Sequence, residues 1–175
     1  MRLDITANSK IASVACDRWD ACWQEHSRLH ANDHFAARAD GITEGCYVVN
    51  GETLSFRAGS YSGYNEWRST LCLLVLGVPA SAVFADPGNY EGRPFYELIN
   101  FSDCEGVIGP KTCAKLARDF AAHRALALVG NRRVPPLSAD ADVQRFPHDM
   151  WSIAKWDAWQ RAFELGADGG AVQFH

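Results

Sequence analysis

The chain has no apolar run close to the ~20 residues that a membrane-spanning helix needs. Its longest, Leu71 to Leu76, is stopped by Gly77 and Pro79, so no membrane partner is expected. A basic excess is missing too: 17 Lys and Arg stand against 21 Asp and Glu, a net charge of -4. Binders of duplex nucleic acid usually carry a basic stripe, and no such partner is expected. The opening residues, Met1-Arg-Leu-Asp-Ile-Thr, set an acid where a secretory leader has its apolar centre, and the sequence reads as that of a cytoplasmic protein. Cysteines Cys16, Cys22, Cys46, Cys72, Cys104 and Cys113 show neither two-residue spacing nor a regular framework. Neither a zinc ribbon nor a redox pair is therefore indicated, and most of them read as reduced core thiols. Internal repeats and low-complexity tracts are absent.

The common catalytic signatures are lacking as well. Gly59-Ser-Tyr-Ser-Gly63 has the spelling of a nucleophile elbow, but Tyr61 takes the nucleophile position. No Gly-Lys-Ser/Thr follows it, so it is not a Walker loop, and it does not match a dinucleotide fingerprint. Acids flank Cys104 and would hold its thiol protonated, which makes a poor nucleophile.

What is present suffices for one globular domain over residues 1–175: 47% hydrophobic and 22% charged residues can build and solvate a core. Residues 2 to 16 predict a strand, a turn at Asn8-Ser9-Lys10 and a second short strand. From Asp17 to about Ala37 the pattern assigns no firm element. Cys46-Tyr-Val-Val, Asn50-Gly51 and Glu52-Thr-Leu-Ser-Phe56 predict a hairpin closed by a type I′ turn. A helix is expected from Tyr64 or Asn65 to Gly77, capped by Ser62 or Asn65. The loop Phe84 to Pro94 leads into an expected strand, Phe95 to Phe101. A helix from Pro110 to about Val129 follows, then a Pro-rich connection over 130–142, a last helix from about Asp149 to Leu165 and a short closing strand. The fold class is α+β, a mainly antiparallel sheet with about three helices packed on it.

Two segments collect the unusual polar residues. Ser55 to Arg68 offers Arg57, Ser60, Tyr61, Ser62, Tyr64, Trp67 and Arg68, where amides and hydroxyls before a helix can seat a phosphate and aromatic rings can stack a base. Ser102-Asp103-Cys104-Glu105-Gly106 places two carboxylates before a helix, in the setting where α/β crevices collect ligands and metals. A turn built by Ser102 or Asp103, with Gly106 and Gly109 supplying unusual dihedrals, explains the same residues without a ligand. Cys22, His26, His30 and His34 recur every four residues, a helical spacing for zinc ligands, yet Asn32-Asp33 would break such a helix and solvent-exposed histidines account for them. His175, at the last position, could approach the acidic loop if the closing strand joins the sheet. Trp156, Trp159 and Phe163 form a stripe that serves either the core or an interface.

Leu3-Asp-Ile-Thr, Phe35-Ala-Ala-Arg-Ala-Asp-Gly41, Gly59-Ser-Tyr-Ser-Gly-Tyr-Asn-Glu-Trp-Arg68, Phe95-Tyr-Glu-Leu-Ile-Asn-Phe-Ser-Asp-Cys-Glu-Gly106 and Ala167-Asp-Gly-Gly-Ala-Val-Gln-Phe-His175 together resemble a family of small phage and prophage proteins of unassigned function. Members typically begin Met-Gly-Leu-Asp-Ile, and Arg2 stands here in place of the glycine. The resemblance implies a phage-encoded accessory protein and brings no reaction, cofactor or catalytic residue with it. The leading expectation is a non-enzymatic binder of a small phosphorylated or nucleotide-like ligand, or of a host protein, that blunts host defence. Two alternatives stand beside it: a metal-assisted hydrolase in which Asp103 and Glu105 hold a divalent ion, and a docking module using the tryptophan-rich last helix. No cofactor is firmly implied, and a homo-oligomer stays open.

Overall fold

Leu3, Ile5 and Ala7 alternate with Asp4, Thr6 and Asn8, and this period of two makes β1 (Arg2–Asn8) a strand with one apolar face. In the computed structural model, which describes residues 2–15, 27–31, 33–129 and 151–175, β1 pairs antiparallel with β5 (Thr53–Ser60), from Arg2 opposite Ser60 to Asn8 opposite Thr53. The chain then turns at Ser9-Lys10, with Lys10 at φ 53°. β2 (Ile11–Val14) follows and pairs with β4 (Gly45–Val49), from Ile11 opposite Val49 to Val14 opposite Cys46. Segments 2–14 and 45–60 thus form one bent ribbon whose two halves belong to different sheets.

That ribbon replaces the expected hairpin: β4 and β5 do not pair with each other. Asn50-Gly51 sits at the bend, and Gly51 is not at positive φ. It is glycine for room, because a Cβ there would lie 2.2 Å from Ser9 Oγ. Ser9 N donates to Glu52 O (2.9 Å) and Asn50 N to Lys10 O (3.0 Å). Long-range partners satisfy the backbone groups that a local turn would have used.

The first sheet has the order β5-β1-β7-β6, with β6 at Gly106–Ile108 and β7 at Ala171–Phe174; the second has the order β2-β4-β3, with β3 at Ser27–Leu29. All pairings in both are antiparallel, and with the helices they give an α+β fold. A 3₁₀ segment spans Asp33–Ala39.

α1 (Tyr61–Leu76) starts directly after β5, ahead of the expected Tyr64 or Asn65, because Ser60 rather than Ser62 or Asn65 is the cap: its hydroxyl accepts from Gly63 N at 3.0 Å. Gly77, at φ 72°, ends it as expected. α2 (Ala80–Ala85) and a 3₁₀ turn at Pro87–Tyr90 follow. The expected strand Phe95 to Phe101 is instead a single helical turn, α3 (Tyr96–Ile99), entered through Phe95 at φ 58°. Phe95, Leu98 and Ile99 are all fully buried, which is a helical spacing, and Asp119 takes the Phe95 N–H at 2.8 Å.

α4 (Pro110–Ala122) turns Cys113, Leu116 and Phe120 inward and stops at Ala122, short of the expected Val129; α5 (Leu126–Val129) is a separate turn. α6 (Ile153–Ala167) is capped by Ser152, packs on α4 and lies over β1, β5 and β7. Trp156, Trp159 and Phe163 are at most 2% exposed, so the stripe forms core and leaves no aromatic face for docking. Trp67 of α1 stacks on Trp159 at 5.5 Å between ring centroids and 5° between planes. The connection over 130–142 and the expected helix start at Asp149 lie outside the described residues.

Cys72 and Cys113 are buried thiols, as expected, whereas Cys46 is disulfide-bonded, a state characteristic of oxidising compartments. Among the described residues no helix is long and apolar enough to cross a membrane.

Candidate functional site

The two polar segments meet at one end of the four-stranded sheet. Arg2 of β1 faces Ser60 of β5 there, Gly106 of β6 faces Phe174 of β7, and the Asp4 N–H reaches His175 O at 2.8 Å. The loop Ser102–Glu105 enters β6 at the end where α1 leaves β5. The β6–β7 pairing ends with Gly106 opposite Phe174, and His175 N in turn donates to Asp4 O at 3.0 Å. The closing strand does join the sheet, and the His175 ring bonds Thr6 Oγ1 at 2.9 Å.

Asn65, on the second turn of α1, joins the segments. Its amide nitrogen donates to Asp103 Oδ2 and its oxygen accepts from Arg68 Nη2, while Arg68 Nη1 donates to Phe101 O. The guanidinium lies 5.3 Å from the Tyr64 ring centroid and 5.5 Å from that of Phe84. A buried cation requires such compensation, and Arg68 is only 7% exposed. Arg68 thus serves the fold, and one oxygen of Asp103 is engaged.

Ser102 builds its own turn, since its hydroxyl accepts from Cys104 N (3.3 Å) and Glu105 N (3.1 Å). Tyr64 and Trp67 are at most 1% exposed and present no ring face on which a base could stack. Burial raises the Tyr64 hydroxyl pKa above its ordinary value; the Arg68 charge opposes that shift and the Asp103 charge adds to it.

Four of the ten expected site residues, Tyr64, Trp67, Arg68 and Ser102, are therefore committed to core or turn, and Asp103 is half-buried with one oxygen held by Asn65. Arg57, Ser60, Ser62 and Glu105 are exposed and Tyr61 is half-buried. Ser60 doubles as the α1 cap, and Arg57 Nε is 3.4 Å from Asp4 Oδ1. Two surface clefts, of about 380 and 440 Å³, contain none of the ten.

Metal binding finds no closed set of ligands: among the described residues no group of three or more His, Cys, Asp or Glu could hold an ion. His30 Nδ1 is 3.4 Å from Glu44 Oε1, and His34 meets Phe35 edge-on at 4.7 Å. Cys22 and His26 lie outside the described residues. Asn65 is the residue that sequence reasoning missed. Its signal was a polar side chain three positions before Arg68, on the same helical face. No protein-family model, curated protein or solved structure matches the chain.

Proposed function

We propose that this chain is a non-catalytic accessory protein of phage or prophage type that binds a small phosphorylated, nucleotide-like ligand where α1 begins, and that withholding this ligand counters host defence. The observation that carries the reading is the Asn65–Asp103 hydrogen bond, which draws the Ser102–Glu105 loop onto the second turn of α1. It leaves the Ser60 and Ser62 hydroxyls, the Arg57 cation and the Glu105 carboxylate accessible at one end of a sheet. Helix-start amides, hydroxyls and a cation suit a phosphate. A carboxylate suits the hydroxyls of a ribose, which it accepts as an ionised acceptor-only group.

Calorimetric titration of the full chain with a panel of nucleoside mono-, di- and triphosphates tests this. Saturable heat is expected for at least one of them, weakened about tenfold by Ser62→Ala combined with Glu105→Gln. A flat response across the panel sinks the ligand reading, and binding that the double variant leaves unchanged moves the site elsewhere.

A further inference from the structure

The second sheet borders a cleft of about 380 Å³ between β2, the corner after the 3₁₀ segment and the start of α4, within the range of small-molecule sites. Its walls are tied in place. Ile42 N donates to Ala39 O (3.0 Å), Gly109 N to Arg38 O (2.8 Å), Ile11 N to Gly169 O (3.0 Å) and Tyr47 Oη to Thr43 O (3.0 Å). Backbones approach so closely behind it that a Cβ on Gly109 would sit 2.1 Å from Ala39 O, and one on Gly170 would sit 1.8 Å from Asn8 O. A pocket held this way needs little reorganisation on binding.

The lining is apolar at Ile11, Ile42 and Tyr47 and polar at Ser13, Thr43 and Asp40. Asp40 is its single charged side chain among the described residues. The Asp40 carboxylate accepts from Thr112 N (2.7 Å) and Thr112 Oγ1 (3.3 Å) in the first turn of α4, whose positive end favours the anion, and no ion pair to it forms among the described residues. An anion would meet no cation here. A hard divalent ion would find one carboxylate where it needs about six oxygens.

We propose that this cleft binds a small ligand carrying a primary ammonium group on a short apolar body. The ammonium has three donors, which match the Asp40 carboxylate and the Ser13 and Thr43 hydroxyls. The body lies against Ile11, Ile42 and the Tyr47 ring. The site belongs to the other sheet and stands independently of the nucleotide reading.

Titration of the ¹⁵N-labelled full chain with n-butylammonium chloride, with sodium butyrate and butanol as controls, tests it by NMR. Saturable shifts of the Ser13, Gly41 and Thr43 amides are expected with the amine alone. Asp40→Asn keeps an acceptor for Thr112 and is expected to weaken the amine about tenfold or more. Ser13→Trp places an indole in the cleft from the opposite wall, leaves the Asp40 side chain itself in place, and is expected to abolish the shifts even if Asp40→Asn does not fold. Equal shifts from butyrate or butanol, no shifts at these amides, or a Ser13→Trp variant that binds as the parent does would each overturn the proposal.

Discussion

Asn65 and Asp103 are separated by 38 positions and joined by one side-chain hydrogen bond, and the same Asn65 receives Arg68 on its other end. The acidic loop is thereby clamped to α1 through a residue that is itself uncharged. Asp103→Ala removes one acceptor and is expected to cost about 1 kcal/mol of stability, whereas Arg68→Ala also strands Phe101 O and is expected to cost about 2–3 kcal/mol. Urea denaturation reads both. A midpoint unmoved by Asp103→Ala would mean that the bridge does not hold the loop.

Ser60 and Ser62 lie 3.2 Å apart through their hydroxyls, yet only Ser60 accepts the Gly63 N–H. Ser60→Ala should lower stability by about 1 kcal/mol and Ser62→Ala by less than about 0.5 kcal/mol. Thermal melts of the two single variants separate the cap from its neighbour, and equal shifts would contradict the assignment.

Trp159 touches Phe56, Tyr64, Trp67, Phe163 and Phe174 within 6.0 Å between ring centroids. Trp159→Ala should cost about 3–5 kcal/mol and leave the mass in solution unchanged wherever the variant remains folded. A loss of self-association without a loss of stability, read by light scattering beside a melt, would return this face to an interface role.

Two buried thiols set an alkaline limit. Burial raises Cys72 from an ordinary 9.0 to about 11; burial, with the Asp40 charge adding to it, holds Cys113 well above 9.0. The folded chain keeps protons that the unfolded chain releases first. Their contribution is therefore complete below pH 9.0 and is lost as pH rises: for Cys72 the loss ends near 11, for Cys113 it continues further. The expected slope is at most about 1.4 kcal/mol per pH unit for each thiol. Urea midpoints measured across this window should fall, and Cys72→Ala should flatten the first part of the decline.

Much of the fold was legible where local chemistry and tertiary structure agree. Pro110 starts α4, Gly77 ends α1 and the alternation of β1 carries its buried face. Two errors have one origin, since tertiary partners overruled a strong local signal. Asn50-Gly51 spells a tight turn, but Ser9 and Lys10 supply the partners that turn it into a bend. Phe95 to Phe101 is apolar enough for a strand, but the Phe95, Leu98 and Ile99 spacing and the Asp119 carboxylate favour a helical turn. At the site, the sequence placed Tyr64, Trp67 and Arg68 beside a ligand because they follow a donor-rich loop. Their helical phase turns them inward, and only the register of α1, set by Ser60, reveals that. The acidic loop and α1 could not be paired from sequence, because the contact depends on where β5 and β6 end in a shared sheet.

β7 lies between β1 and β6, with Ile5 and Phe174 opposite each other. The middle of the first sheet is therefore closed by residues made last in this stretch of chain. During synthesis, β1 can zip onto β5 as soon as residue 60 emerges, but its other edge stays open while more than a hundred further residues are added. Such an edge is a template for the wrong partner. Shelter of that β1 edge therefore depends on a pairing between opposite ends of this stretch of chain, and loss of β7 would leave it bare.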